Sequence, residues 1–375
     1  MARMDIPQQD AMKEEVVTVA NALVVPPPLD APNAPQQRSG VFDANGDFVQ
    51  ASHLCRPHGY FNDVPDLPDP GDIEELPGTW MFGGVLFGHF GHFLMDSMAR
   101  AWAYGDLKGK IDGIVFTPKT NGGNPENMFK VQTPLLRALG LDADIRMLRA
   151  PTRIETLHVP WQGLGIGSGW ELGTPAFRRY MRDNAGGAIA PKGPERVYLS
   201  RSALPKARAS FLAEDILEAH LADAGYEIVH PQQLSKEDQI ALYRAAKWII
   251  SPDGSPLHLL AYVGNADQHV AVIARRNRDT NTIFGPQIEA FTGASAITIN
   301  CLLHDWLPED HNRPGRLSWG EFDMPGIYDG LMAGGFLPEG TTRWEAVPEE
   351  TLRAELDRIT QAEGKSFRRW EGDAG

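Results

Sequence analysis

The sequence predicts an α/β protein built from two domains and a C-terminal extension. After residue 195, short apolar runs alternate with amphipathic stretches and give β-α-β-α-β-α-β in about eighty residues, on approximate boundaries. Such alternation is typical of a parallel, doubly wound sheet. A second α/β pattern precedes it, between residues 111 and 160. A chain of 375 residues also exceeds what one hydrophobic core usually supports.

The first α/β pattern consists of a strand over 111–118, a helix over 132–139 that Gly140 ends, and a strand over 155–160. Glycine and proline then dominate residues 186–194, the clearest linker in the chain. We therefore expect an N-terminal domain over 1–190 and a second domain over 191–300. Residues 301–375 are expected to form an extension that packs back on the N-terminal domain.

Periodicity is clearer in the second domain. We predict strands over 196–200, 226–229, 248–251 and 269–274, and helices over 211–224, 236–246 and 256–263. Ser235 with Glu237 and Asp238 forms a capping-box pattern at the start of the middle helix. A last helix is expected over 348–363.

Composition narrows the class of protein. Hydrophobic residues make up 42% and charged residues 22%, as in a globular protein. A net charge of −14 argues against a duplex nucleic-acid partner, which usually requires a basic surface. Cys55 and Cys301 form neither a disulfide framework nor a metal-spaced cluster, which favours a reducing compartment. No apolar run reaches the roughly 18–20 residues that span a bilayer, so we expect a cytoplasmic protein.

The first candidate site lies on a predicted helix after a glycine-broken apolar run. At 100° per residue, His89, His92, Asp96 and Arg100 fall within roughly 80° of arc on one face. A His–Asp pair four residues apart orients an imidazole, and a carboxylate in a cleft can itself accept a proton. A solvated helix face, or a buried histidine satisfied by its neighbours, would give the same pattern.

A metal site is an alternative for the same residues. His89, His92 and Asp96 could supply three ligands. Their spacing, however, is not the His-Glu-x-x-His of metalloproteases.

The second candidate site is the turn from the strand over 248–251 into the next helix. Pro256 suits the first helical position, and the free N–H groups of such a helix, at the carboxyl end of a parallel strand, favour a phosphate. His258, one turn into the helix, could donate to the same anion. An ordinary strand-to-helix turn would look the same.

A basic loop comes after the strand over 196–200. Arg201, Lys206 and Arg208 supply positive charge in an acidic protein, and guanidinium groups match diphosphate oxygens bidentately. A solvated basic loop remains the other interpretation. Dinucleotide and P-loop fingerprints are absent from the sequence, as is the Gly-x-Ser-x-Gly elbow.

Taken together, these segments resemble glycosyltransferase family 61, a group found near capsule and exopolysaccharide genes. The matching segments are GHFGHFLMDS at 88–97, VYLSR at 197–201 with Arg208, GYEIVHP at 225–231, LS and DQI within 234–240, and DGSPLH at 253–258. Their order and spacing fit over roughly residues 80–275.

The resemblance implies a GT-B-like architecture, in which two Rossmann-like domains face each other across a cleft. It also implies an inverting, metal-independent transferase of a hexose or pentose, with no cofactor beyond a nucleotide-sugar donor. Carried over by position, Arg201, Arg208, Gly254, Ser255 and His258 would bind the donor. His92 and Asp96 would be catalytic on the acceptor side, with His89 nearby, and Asp96 is the first choice as base.

The resemblance also implies the biological setting. A glycan or lipid-linked acceptor, surface or capsular polysaccharide synthesis and a peripheral contact with a membrane assembly at the inner face fit the family. The sequence leaves a homodimer open.

Two departures from the family pattern bear on function. Asp253 places a negative charge beside the expected phosphates, and Pro256 replaces a usual alanine. They keep a non-catalytic nucleotide-sugar or glycan-binding component open, beside a metal-assisted hydrolase that would use His89, His92 and Asp96.

Overall fold

The structure is a computed structural model that describes residues 5–28, 37–120, 124–204, 209–276, 282–315 and 317–370. It divides into two compact units, Met1–Ile189 and Ala190–Gly375. The division falls inside the glycine- and proline-rich segment 186–194. Both units combine helices with parallel strands, so the chain has a mixed α/β fold.

The first unit contains ten strands and five α-helices among its described residues. In chain order they are α1 (Gln8–Ala11), β1 (Val16–Val25), β2 (Gln37–Arg38), β3 (Gly40–Phe42), β4 (Cys55–Arg56), β5 (Gly59–Tyr60), β6 (Asn62–Asp63), β7 (Glu74–Leu86), α2 (Phe90–His92), α3 (Tyr104–Leu107), β8 (Gly113–Pro118), α4 (Pro125–Ala138), β9 (Asp144–Met147), β10 (Thr152–Pro160) and α5 (Pro175–Asn184).

A six-stranded sheet in the order β3-β1-β10-β7-β8-β9 forms the centre of this unit. Strands β10, β7, β8 and β9 are parallel, whereas β1 is antiparallel to both of its neighbours. Leu86 of β7 lies opposite Pro118 of β8, so these two strands end side by side. The segments that leave these two strands therefore meet at one edge of the sheet.

The second unit contains eight strands and six helices among its described residues. They are β11 (Arg196–Leu199), α6 (Glu214–Asp223), β12 (Glu227–Val229), α7 (Lys236–Ala245), β13 (Trp248–Pro252), α8 (Pro256–Val263), β14 (His269–Ile273), α9 (Phe284–Thr292), β15 (Ser295–Ile299), β16 (Leu302–Pro308), β17 (Trp319–Phe322), α10 (Met324–Ala333), α11 (Glu349–Glu363) and β18 (Phe367–Arg369).

The predicted alternation of this unit forms a five-stranded, all-parallel sheet in the order β12-β11-β13-β14-β15. Helix α8 has the predicted bounds, and Ser235 caps α7 by accepting from the Asp238 N–H at 3.0 Å. Val270, Ala271, Val272 and Ile273 of β14 are fully buried, as expected for an interior strand of a parallel sheet.

The C-terminal residues complete the core of the second unit. Phe322, Ile327 and Phe336 are buried in one cluster with Tyr198 and Ile273. Leu352, Leu356 and Ile359 of α11 pack on Ala209, Leu212 and Ala213 in another. This differs from the prediction that residues 301–375 pack on the N-terminal domain. The parallel sheet needs an apolar cover that α6–α9 alone do not provide, a requirement that periodicity does not reveal.

None of the helices in the described ranges is both long and apolar enough to cross a membrane.

Candidate active site

The segment after β7 forms a π-helical turn where a regular helix was predicted. Helix α2 is three residues long, and residues Phe93–Ser97 continue it with π geometry, in which the Met98 N–H donates to the Phe93 carbonyl at 3.2 Å. Phe93, Leu94 and Met95 are all buried, because three consecutive apolar residues require packing on every side. π-Helical turns often occur at functional sites.

The wider turn breaks up the polar face that regular periodicity predicted. His92 and Asp96 remain together, whereas His89 lies just before α2 in an extended conformation. Arg100 points into the core, where it is 1% exposed and donates to the carbonyls of Ala51, His53 and Pro160. We therefore assign Arg100 a structural role and exclude it from the candidate active site.

Arg100 also explains one of the glycines in β7. A Cβ on Gly84 would lie 2.8 Å from Nη1 of Arg100, and Gly84 has φ +95°. Only glycine tolerates both conditions without strain.

Asp96 connects two cationic or ionisable side chains. Its Oδ2 accepts from His92 Nδ1 and from Arg56 Nη2, each at 2.8 Å. The Asp96 side chain is 1% exposed, whereas that of His92 is 44% exposed. Asp96 Oδ1 and Arg56 Nε are buried without a hydrogen-bond partner among the described residues. The pair thus presents His92, rather than Asp96, to its surroundings.

Sequence reasoning missed Arg56, which lies forty positions before Asp96. It is positioned by Gln162, whose side chain accepts from the Cys55 N–H at 2.7 Å and donates to the Cys55 carbonyl at 3.2 Å. This clamp fixes β4 next to the π-helical turn. No local pattern predicts such a pairing.

In the second unit, Arg201 follows β11 at the carboxyl edge of the parallel sheet. A Cβ added to Gly254, which follows β13, would lie 3.3 Å from Arg201 Nη1. The missing side chain lets the guanidinium lie against the start of α8. Arg201 Nε is buried and has no hydrogen-bond partner within the described ranges. Two of the predicted donor residues are thus adjacent.

Asp253, the departure from the family pattern, has a structural partner. It is fully buried, and its Oδ2 accepts from the Arg275 N–H at 2.9 Å. Arg275 Nε lies 3.2 Å and Arg276 Nε 3.9 Å from Asp253 Oδ1. The carboxylate therefore anchors two arginines and leaves the edge positively charged.

Sequence reasoning missed Arg275 and Arg276, although a signal existed. Both follow β14, and ligand-binding residues of open α/β sheets lie after the carboxyl ends of the strands. The rule that selected Arg201 would have selected them as well.

Glu214 contacts Arg201 and is 3% exposed. Its Oε1 accepts from the Arg201 N–H at 2.7 Å and from the Tyr198 hydroxyl at 3.0 Å. Burial raises the pKa of Glu214. Burial, and then the charge of Arg275, lowers the pKa of Arg201 to about 9. The positive charges of the guanidinium groups are thus only partly balanced by nearby carboxylates. A bound anion would lower the free-energy cost of keeping these charges buried.

The start of α8 fits an anion site. Ser255 occupies the N-cap position but makes no side-chain cap, and Pro256 is the first helical residue. His258 is 7% exposed, and its Nδ1 lies 2.6 Å from Gln287 Oε1. This contact fixes the orientation of the imidazole at the start of α8.

The loop before α6 holds the arginines in place. The Ala209 carbonyl accepts from Arg275 Nη1 at 3.1 Å and from Arg201 Nη2 at 3.4 Å. Ala213, at the end of this loop, has φ +58°, and its N–H donates to Glu355 of α11 at 2.6 Å. Helix α11 therefore supports the loop on which both guanidinium groups rest.

Two other predicted features have separate outcomes. Arg208 and Lys206 lie outside the described residues. Within the described ranges, no group of three or more His, Cys, Asp or Glu side chains could hold a metal ion. The ligand set that the hydrolase alternative needs, His89 with His92 and Asp96, is not formed.

The fold and these contacts define an α/β protein with an arginine cluster at the carboxyl edge of a parallel sheet. Residues 90–273 match the family model described as Glycosyltransferase 61. This match confirms the family resemblance, and the family implies glycosyltransferase activity. Comparison with curated proteins gives no match.

Proposed function

We propose that the protein is an inverting, metal-independent glycosyltransferase that moves a sugar from a nucleotide-sugar to a hydroxyl group of a glycan or lipid-linked acceptor. The observation that carries this proposal is the convergence of Arg201, Arg275 and Arg276 beside the start of α8. Surface polysaccharide synthesis is the setting that the family suggests.

The donor diphosphate would bind at this cluster. The guanidinium groups of Arg201, Arg275 and Arg276 and the N-terminus of α8 would stabilise the charge that develops on the leaving nucleoside diphosphate. In this proposal the protein itself supplies the positive charge that a divalent cation supplies in metal-dependent transferases. His258, in the first turn of α8, would contact the same ligand.

We propose His92 as the general base. The sequence favoured Asp96, but a carboxylate that is 1% exposed and bonded to Arg56 is poorly placed to meet an acceptor. His92 would accept the proton of the acceptor hydroxyl at Nε2, while Asp96 holds its Nδ1–H. The acceptor oxygen would then bond to the anomeric carbon as the bond to the diphosphate breaks on the opposite side, with inversion.

Nucleotide binding tests the donor site. We expect a nucleoside diphosphate or nucleotide-sugar to raise the melting temperature of the full chain, since a ligand stabilises by RT ln(1 + [L]/Kd). Arg201→Gln should abolish the shift, whereas Arg358→Gln, on the exposed side of α11, should retain it. Absence of any shift over a panel of nucleotides would contradict the proposal.

Donor hydrolysis tests catalysis. A transferase slowly cleaves its donor when water replaces the acceptor, so release of free sugar is expected from the wild-type chain without added metal. Binding without any hydrolysis or transfer would instead support a non-catalytic binding component.

A further inference from the structure

Four rings form a continuous series near the carboxyl ends of β7 and β8 in the first unit. Their centroids are 5.1 Å apart between Phe61 and Phe87, 5.4 Å between Phe87 and His92, and 5.3 Å between His92 and His89. We call this series the aromatic row. Phe87 is buried and supports the row, while the other three members are partly or fully exposed.

Two cationic side chains lie beside the same end of the row. The Arg56 guanidinium carbon is 6.0 Å, and Lys119 Nζ 5.4 Å, from the centroid of Phe61. Lys119 follows β8, as Phe87 follows β7. The backbone N–H of Lys119 donates to the backbone carbonyl of Leu86 at 2.9 Å. The sheet topology therefore brings Lys119 to the row from a different strand.

The Asp96 carboxylate at this end of the row is buried and already engaged. Asp96 pairs with Arg56, and its side chain is 1% exposed. Asp63, farther along β6, is exposed and lies opposite Arg38 in the strand pairing. Lys119 Nζ donates to the Thr120 carbonyl at 2.9 Å, and burial lowers the pKa of the Lys119 amine. An anion beside Lys119 would offset that burial cost.

We propose that the aromatic row binds an acceptor sugar that carries a carboxylate or phosphate, and that Lys119 and Arg56 bind this anionic group. The apolar face of the sugar ring would pack against the exposed rings. A hydroxyl of the same sugar would then meet His92 within the row. This inference names the acceptor class and rests on the proposed function.

Binding of simple sugars to the full chain tests the inference. We would titrate methyl β-D-glucuronide, glucose 6-phosphate and the neutral methyl β-D-glucoside, and follow them by saturation-transfer NMR. We expect at least one charged sugar to bind about fivefold or more tightly than the neutral one, the size expected for a single charge pair. The two charged arms separate carboxylate from phosphate recognition.

Three variants test whether Lys119 causes the preference for a charged sugar. Lys119→Met should remove the preference, and Lys119→Arg should retain it. Lys110→Met, an exposed lysine of the same unit, is the matched control and should leave it unchanged. Circular dichroism of each variant reports folding independently.

Equal affinity for charged and neutral sugars, or no binding of either charged sugar, overturns the inference. So does an unchanged preference in a folded Lys119→Met. The nucleotide-induced melting shift is measured on the same samples. If it persists while the sugar preference is absent, the acceptor class is wrong and the proposed transferase activity stands.

Discussion

Arg201 and Arg275 donate to the same acceptor, the carbonyl oxygen of Ala209, at 3.4 and 3.1 Å. Like charges so close are costly unless opposite charge is near, and Asp253 provides it from a buried position. The two guanidinium groups are thereby fixed before any ligand arrives. A preorganised positive site of this kind stabilises a leaving anion without rearrangement.

Breaking the Asp253–Arg275 pair should be costly. Arg275→Gln keeps the backbone N–H that donates to Asp253 but leaves the more distant Arg276 as the ion-pair partner of this buried carboxylate, and we expect a loss of about 3 kcal/mol in the free energy of unfolding. Chemical denaturation measures it. The double variant Arg275→Gln with Asp253→Asn should recover much of the loss. Equal stability of the single and double variants would show that the charge pair is not responsible.

Asp96 and His92 should act as one functional unit. Asp96→Asn and His92→Gln should each lower turnover by about 10²-fold, and the double variant should be little worse than either. Steady-state kinetics with a donor and acceptor pair measures this. His58→Gln, an exposed histidine of the same unit, is the control. Full activity of His92→Gln would remove it as the base.

Glu355 should support the donor site through Ala213. Glu355→Ala removes the acceptor of a buried N–H and should lower the free energy of unfolding by about 1–3 kcal/mol. Nucleotide affinity should fall as well, because the loop that carries Ala209 loosens. Ala213→Gly should raise stability by about 1 kcal/mol, since φ +58° suits glycine. An unchanged nucleotide Kd in Glu355→Ala would show that α11 only stabilises the fold.

The pKa of Glu214 should appear as a pH dependence of stability. Because burial raises this pKa, the folded state favours the protonated carboxyl. The contribution is fully present below the ordinary value of 4.5 and is lost as the pH rises through the raised folded value. Relative to wild type, Glu214→Gln should therefore gain stability as the pH rises above 4.5. A pH-independent difference in the free energy of unfolding would contradict this assignment.

The sequence predicted the second unit well because a parallel sheet imposes a simple pattern. Helix α8, the Ser235 cap and the position of Arg201 at a strand end all follow from periodicity and local capping rules. The same strand-end rule also points to Arg275, which comes shortly after the end of β14. That arginine was therefore within reach of sequence reasoning.

Other features depend on contacts between distant residues. The π-helical turn buries Phe93, Leu94 and Met95 together, a geometry that periodicity at 100° per residue does not anticipate. Arg56 reaches Asp96 only through the Gln162 clamp on β4. The supporting role of α11 depends on Glu355, far from Ala213 in sequence.

The C-terminal residues in the core of the second unit set the order in which the chain can fold during synthesis. The first unit is one continuous segment and can fold once its last helix has emerged. The five-stranded sheet is complete at Ile299, yet its partners Phe322, Ile327, Phe336 and Trp344 are translated later. Until they emerge, the nascent sheet exposes an apolar face. We expect a stop codon near residue 300 to make this exposure permanent.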